Sequence, residues 1–104
     1  MTRRLTLSRR AELEAREAFE WYRAQLPGLG EQFVGALDDQ FALILATPRL
    51  YAEILPGVRR SLLAHFPYGI FFASKGAITS ILAIVHTSRN PQHWPRSRRA
   101  RSKA

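Results

Sequence analysis

The sequence predicts an α+β domain in which a short N-terminal strand and a helical hairpin pack on one small antiparallel sheet. Two stretches with apolar residues at helical spacing lie on either side of a Pro-Gly break. Three stretches with strand-like alternation follow a second Pro-Gly pair. The chain has 104 residues, of which 46% are hydrophobic, and this is enough for one domain with one core. The predicted order of elements is β-α-α-β-β-β.

The first strand and the first helix meet at a serine. Leu5 and Leu7 alternate with Thr6 and Ser8, which indicates a short strand. Ser8 is also a suitable N-cap, because its hydroxyl oxygen can accept a hydrogen bond from a backbone N–H of the first turn. The helix is expected to bury one stripe of side chains: Ala11, Ala15, Ala18 or Phe19, Tyr22 and Leu26.

The second helix is bounded by prolines and glycines. Residues 26–30 read Leu-Pro-Gly-Leu-Gly, which predicts the end of the first helix and a chain reversal. Pro48 ends the second helix, because the residue before a proline is disfavoured in helical geometry. The predicted buried stripe is Phe33 or Val34, Leu37, Phe41, Ile44 and Leu45. Together the helices form an antiparallel hairpin that needs a surface to cover.

The C-terminal half predicts the sheet. Residues 49–57 are expected to form a connecting loop that ends in a Pro-Gly turn. The next three strands are predicted at Val58–Phe66, Tyr68–Ser74 and Ile78–His86, with a tight turn at Lys75-Gly76 between the last two.

The last strand is apolar on both sides. Strict alternation gives two sets, Ile78, Leu82 and Ile84 on one side, and Ile81, Ala83 and Val85 on the other. The preceding strand repeats the pattern, with Ile70 and Phe72 on one side and Phe71 on the other. Such strands are normally covered on both faces, yet one helical hairpin covers only one. We therefore expect part of the second face to be an exposed apolar groove that binds a partner helix. Self-association through the same face is the alternative.

The net charge of +8 is concentrated at the two ends of the chain. Residues 1–10 carry four cations and residues 96–103 carry five, whereas residues 11–95 have seven cations and eight acids. We place the folded domain at residues 1–95 and a disordered basic tail at residues 96–104. The tail is either a solvated, solubilising segment or an electrostatic arm for an acidic partner or a phosphate backbone.

Several classes of protein are disfavoured. The chain has no cysteine, hence no disulfide framework and no thiolate zinc site. His65 and His93 are not joined by a cluster of carboxylates, so we predict no metal and no cofactor. Residues 2–10 do not read as a signal peptide, and the longest apolar run is too short to cross a membrane. We expect a cytoplasmic protein that has no membrane partner.

Six fragments, spread in this order over residues 3–95, form a recognisable set. They are 18–22 (Ala-Phe-Glu-Trp-Tyr), 28–30 (Gly-Leu-Gly) with Phe33, Pro48, 57–60 (Gly-Val-Arg-Arg), 66–72 (Phe-Pro-Tyr-Gly-Ile-Phe-Phe), and His86, Arg89, Pro91 and Trp94. The set resembles the RelE/ParE superfamily of bacterial toxins from type II toxin–antitoxin modules. The resemblance is closest to the ParE branch, often called plasmid-stabilisation proteins.

The resemblance implies a β-α-α-β-β-β fold and two kinds of partner. One is a cognate antitoxin, whose C-terminal segment would occupy the apolar groove and could connect the complex to operator DNA. The other is DNA gyrase, which ParE-like proteins inhibit by trapping it in complexes with DNA. RelE-like relatives instead cut messenger RNA on the ribosome, so an mRNA endoribonuclease is the alternative function. A third possibility is a chain that has lost toxicity and survives as a bound partner in repression of its own operon.

The two activities need different residues. RNA cleavage requires a general base, a general acid and a cation beside the phosphate. For this alternative, Arg60 and Arg89 could clamp the phosphate, and His86 could transfer the proton. However, Trp94 stands where many relatives carry a catalytic tyrosine, and Lys75 is alone where ribosome-acting relatives are rich in lysine. We therefore predict an inhibitor without a catalytic residue.

The predicted partner-binding residues combine the second sheet face with the C-terminal cations. They are Arg60, Phe71, Arg89, Trp94, Arg96, Arg98 and Arg99, with the gyrase contact expected within residues 89–101. Two of the candidates also have structural interpretations. Arg60 could pair with an acid such as Glu53, and His86 could form a hydrogen-bonded cap at the end of its strand.

Overall fold

The computed structural model describes residues 2–88, and the predicted order of elements is confirmed with one strand added. The elements are β1 (Arg4–Leu7), α1 (Arg9–Gln25), α2 (Leu29–Ala46), a one-turn 3-10 helix (Pro48–Leu50), β2 (Glu53–Leu55), β3 (Val58–Leu62), β4 (Tyr68–Lys75) and β5 (Ile78–His86). The five strands form one sheet in the order β1-β5-β4-β3-β2. The sheet is mixed, because β1 runs parallel to β5 whereas the other pairs are antiparallel.

The additional strand corrects the prediction of a loop at residues 49–57. Glu53 pairs with Arg59 and Leu55 with Val58, so β2 and β3 form a hairpin. Gly57 has a φ of +78°, a left-handed conformation that glycine adopts without steric cost. The Glu53 carboxylate accepts a hydrogen bond from the Gly57 N–H and closes the turn. The Pro-Gly pair therefore connects two strands and does not end a loop.

Strand β3 ends four residues earlier than predicted. Beyond Leu62 the chain turns, and His65 has a φ of +68°. The Leu63 N–H donates to the Tyr68 carbonyl at 2.9 Å, so residues 64–67 form the loop between β3 and β4 and the alternation up to Phe66 does not continue the strand. The predicted turn between β4 and β5 also moves by one residue, because Lys75 pairs with Ile78 across Gly76-Ala77.

Helix α1 begins and ends as its sequence signals indicate. The Ser8 hydroxyl oxygen accepts a hydrogen bond from the Ala11 N–H at 3.0 Å, which confirms the predicted N-cap. Ala11, Ala18 and Tyr22 are buried. Leu26, predicted to share their stripe, is 58% exposed because the helix ends at Gln25.

The two helices approach closely at the start of α2. A Cβ added at Gly30 would lie 3.1 Å from the Phe19 backbone oxygen and 2.9 Å from a carbon of the Phe19 ring. The ring centroid of Tyr22 on α1 then lies 5.3 Å from that of Phe33 on α2. The Phe33 ring in turn lies 5.3 Å from the Tyr68 ring on β4. This aromatic cluster joins the helical hairpin to the sheet.

A bulge in β5 decides which side chains face the helices. Phe71 pairs with Ala83 and Phe72 with Ile81, so Leu82 is the additional residue. As a result Ile81 and Ile84 both pack in the core under the helices, and we call that side of the sheet the inner face. The prediction that Ile81 shares a side with Ala83 was wrong, because strict alternation is broken at Leu82.

Polar side chains at the start of α1 satisfy the backbone of the bulge. The Ser8 hydroxyl donates to the Leu82 carbonyl at 2.9 Å. The Ile84 N–H donates to one carboxylate oxygen of Glu14 at 2.7 Å. The other oxygen of Glu14 accepts from Arg10 Nε at 3.0 Å. Helix α1 is therefore fixed to β5 by directed hydrogen bonds as well as by apolar packing.

Two glycines on α2 should respond in opposite directions to alanine. We expect Gly30→Ala to lower the free energy of unfolding by about 1–3 kcal/mol, because its Cβ would lie only 3.1 Å from the Phe19 backbone oxygen and would force the helices apart. Gly35→Ala should raise it by up to about 1 kcal/mol, because no atom lies within 4 Å of the added carbon. Urea unfolding followed by circular dichroism measures both. Destabilisation of equal size in both variants would contradict the close approach at Gly30.

Removal of the Glu14 carboxylate should weaken the link between α1 and β5. Glu14→Ala leaves the Ile84 N–H without its acceptor, and we expect a loss of about 1–3 kcal/mol in the free energy of unfolding. Glu14→Gln keeps an oxygen acceptor, so its free energy of unfolding should fall by less. Glu17→Ala, an exposed position on the same helix, is the matched control and should change stability by no more than about 0.5 kcal/mol. Equal losses in Glu14→Ala and Glu17→Ala would show that the hydrogen bond contributes nothing.

Candidate interaction surface

The outer face of the sheet, opposite the helices, is the surface on which a partner was predicted to bind. Strand register places alternate side chains there. They are Arg4 and Thr6 of β1, Val58, Arg60 and Leu62 of β3, Gly69, Phe71, Ala73 and Lys75 of β4, and Ile78, Ser80, Ala83 and Val85 of β5.

The centre of the outer face is not the open groove that the sequence predicted. Phe71 is 0% exposed, Ala83 1% and Val85 4%. Ile54 of β2 packs against this cluster, as does Val58. The strand that the sequence did not predict thus supplies one of the covering side chains. Phe71, a predicted partner-binding residue, is a core residue of this second cluster.

Apolar exposure on the outer face is confined to its two ends. Leu62 on β3 is 58% exposed, and Ile78 on β5 is 45% exposed. Ile78 pairs with Arg4 on one side and with Lys75 on the other, so its neighbours are cations. This end was not among the predicted sites, although the alternation in β1 and the turn at Gly76 were the signals that could have located it.

Arg60 lies on the outer face as predicted, with its side chain along the sheet. It is the cross-strand partner of Phe71, and a Cβ added at Gly69 would lie 3.7 Å from its Cδ. The aliphatic part of Arg60 therefore lies beside Gly69, where an added methyl group would make ordinary van der Waals contact. Glu53, the acid suggested as its partner, is instead bonded to the turn at Gly57.

His86 faces the opposite side of the sheet from Arg60. It pairs with Tyr68, and the two rings lie 5.2 Å apart in an edge-to-face arrangement. Its Nδ1 accepts a hydrogen bond from the Ser88 N–H at 3.2 Å, as expected for a cap at the strand end. The sheet separates two of the three residues named for the nuclease alternative, Arg60 and His86.

The remaining predicted site residues lie outside residues 2–88, which the structure describes. They are Arg89, Trp94, Arg96, Arg98 and Arg99. The boundary between the domain and the basic tail, placed at residue 95, lies outside them too. These assignments stay predictions.

Among residues 2–88, no group of three or more His, Asp or Glu side chains is arranged to hold a metal ion. No helix in this range combines the length and the apolar character needed to cross a membrane.

The described residues form a small α+β domain in which a helical hairpin covers one face of a mixed five-stranded sheet. The sequence profile of the family described as "ParE toxin of type II toxin-antitoxin system, parDE" matches residues 5–91. The chain therefore belongs to the ParE toxin family. No curated protein matches the sequence.

A solved structure shares the fold. One chain of a structure described as the chromosomal ParDE TA system from P. aeruginosa superimposes with a TM-score of 0.61. The sequence identity is 22%, and the match covers 84% of this chain and 98% of that chain. At this identity the likeness concerns the fold, which agrees with the predicted β-α-α-β-β-β order.

Replacement of single side chains by alanine should show which outer-face residues contribute to stability. We expect Phe71→Ala to lower the free energy of unfolding by about 3–5 kcal/mol, because the side chain is fully buried. Leu62→Ala, on the adjacent strand of the same face, should change it by no more than about 0.5 kcal/mol, because Leu62 is exposed. Thermal unfolding measures both. Wild-type stability of Phe71→Ala would mean that the outer face is open, as the sequence first suggested.

Proposed function

We propose that this chain is a toxin that inhibits DNA gyrase by binding to it, and that a cognate antitoxin neutralises it. The observation that carries the proposal is the match to the ParE toxin family over residues 5–91. The match covers both helices, β2 to β5, all of β1 except Arg4, and the first predicted C-terminal contact, Arg89.

The geometry of the described residues favours inhibition by binding over RNA cleavage. A ribonuclease needs its acid, its base and its cation around one phosphate. Arg60 and His86 lie on opposite faces of the sheet, and the His86 ring is engaged by Tyr68 and by the Ser88 N–H. This separation supports the inhibitor, and the ribosome-dependent nuclease remains the alternative to be tested beside it.

The charge distribution supports the same proposal. Gyrase acts on DNA, and five cations in residues 96–103 would favour association with a nucleoprotein complex through long-range attraction. The described strands end at His86, before these cations begin. Removal of residues 96–104 therefore leaves every strand between positions 2 and 88 in the chain.

The decisive experiment is a pair of activity assays on the purified chain. We expect inhibition of supercoiling by purified gyrase and no ribosome-dependent cleavage of messenger RNA. His86→Ala should keep full inhibition, since the imidazole has no catalytic role in this proposal. Cleavage of RNA that His86→Ala abolishes would overturn the proposal in favour of the nuclease, and inactivity in both assays would indicate a chain without toxicity.

Removal of residues 96–104 tests whether the cations of the tail contribute to gyrase inhibition. We expect the potency of gyrase inhibition to fall by about tenfold at low salt, with the difference shrinking as salt rises from about 50 to about 200 mM. A variant with the same length and its cations replaced by serine is the control for chain length. Unchanged potency would mean that the tail serves only solubility.

A further inference from the structure

A cleft opens on the inner side of the sheet where α2 ends. It has a volume of about 570 Å³, within the range of roughly 300–1,000 Å³ typical of ligand pockets. Its lining combines the segment before β1, the end of α2 with the 3-10 helix, and the ends of three strands. The lining residues that matter here are Arg3, Arg49, Leu50, Arg59, Ser74 and Thr79.

Two of the arginines are held in place by backbone carbonyls. Arg3 Nη1 donates to the carbonyls of Leu45 and Ala46, both at 2.8 Å, and so satisfies the last turn of α2. Arg59 Nη1 donates to the Tyr51 carbonyl at 2.7 Å. A carbonyl carries only a partial charge, so both guanidinium groups keep their net positive charge at the cleft.

The third arginine has no such contact. Arg49 is exposed on the 3-10 helix and makes no hydrogen bond or ion pair with any other residue between positions 2 and 88. No Asp or Glu is among the residues that line this cleft. Like charges gathered in a concave site raise the local positive potential, which an anionic ligand would relieve.

The other groups of the cleft are polar at its floor and aliphatic at its rim. Thr79 is 3% exposed, and its hydroxyl lies 2.7 Å from that of Ser74. Leu50 at the rim is 80% exposed. No aromatic side chain lines the cleft, so a nucleobase would find no ring on which to stack. An aliphatic rim beside cations instead suits a peptide that carries both carboxylates and aliphatic side chains.

Cations and exposed aliphatic side chains also lie together around the turn between β4 and β5. Gly76 and Ala77 of this turn line the cleft, and Ile78 next to them is exposed on the outer face between Arg4 and Lys75. A single extended segment could therefore contact cations and aliphatic side chains on both sides of the turn.

We propose that the cleft binds an acidic segment of the antitoxin, with carboxylates on Arg49 and Arg59 and an aliphatic side chain on Leu50. This inference rests on the proposed function, because the partner that it names is the neutralising antitoxin. It adds the location of one contact, its chemistry and the residues that recognise it.

The first test measures the affinity of the protein encoded beside this chain, taken as the antitoxin, for charge-reversal variants. Arg49→Glu should weaken binding by about tenfold or more, because it places like charges in contact. Arg16→Glu is the matched control, since Arg16 is an exposed cation on α1 away from the cleft. Leu50→Asp should also weaken binding, and both cleft positions are exposed enough to leave the fold intact. Equal affinities of Arg49→Glu and Arg16→Glu would overturn the proposal.

A second test examines the chemistry of the cleft with a model peptide, so that its result does not depend on which protein is the antitoxin. A peptide of alternating Glu and Leu, titrated into the ¹⁵N-labelled chain, should shift amide signals of residues 45–50, 59 and 74–79. The shifts should be lost in Arg49→Glu and kept in Arg16→Glu. Tighter binding of an oligothymidylate at the same amides would overturn the proposal in favour of nucleic acid. If the neighbouring protein fails to bind the wild-type chain at all, the proposed neutralisation falls, while the peptide result still decides the chemistry of the cleft.

Discussion

The hydrogen bonds between the start of α1 and the bulge of β5 determine how both faces of the sheet are built. The Ser8 hydroxyl supplies a donor for the Leu82 carbonyl, and the Glu14 carboxylate supplies an acceptor for the Ile84 N–H. The bulge in turn places Ile81 and Ile84 under the helices and leaves Ala83 and Val85 for the opposite face. With strict alternation, one isoleucine would leave the main core. The position of the helical hairpin and the composition of the outer face thus follow from one local irregularity.

Residues 2–88 thus have a densely packed interior and a cationic end. The aromatic cluster joins the helices to β4, and the outer cluster around Phe71 makes the sheet a core element on both sides. Exposed aliphatic groups and cations remain at the turn between β4 and β5, where Arg4 and Lys75 flank Ile78. A domain with a buried centre and a charged, partly apolar edge is suited to binding other macromolecules, in agreement with its membership of the ParE toxin family.

Features set by local signals could be predicted from the sequence, whereas features set by tertiary contacts could not. The cap at Ser8, the break between the helices and the bounds of β5 depend on neighbouring residues and were confirmed, although the break is shorter than predicted because α2 begins at Leu29. Strand β2 is three residues long and exists through its pairing with β3, so it has no periodicity to recognise. The bulge depends on Glu14, 70 positions away from its partner. The cleft gathers residues from positions 3 to 79, which no spacing rule would bring together.

The parallel pairing of β1 with β5 has a consequence for the order in which the protein can fold. The Arg4 N–H donates a hydrogen bond to the Ala77 carbonyl. The strand partners of residues 5–7 lie at positions 79–81. During synthesis, β1 therefore cannot pair until β5 has been made. Contacts so distant along the chain slow folding and make the domain a single cooperative unit. A nascent chain that lacks β5 has no complete sheet, so the domain can reach its folded form only after β5 has been synthesised.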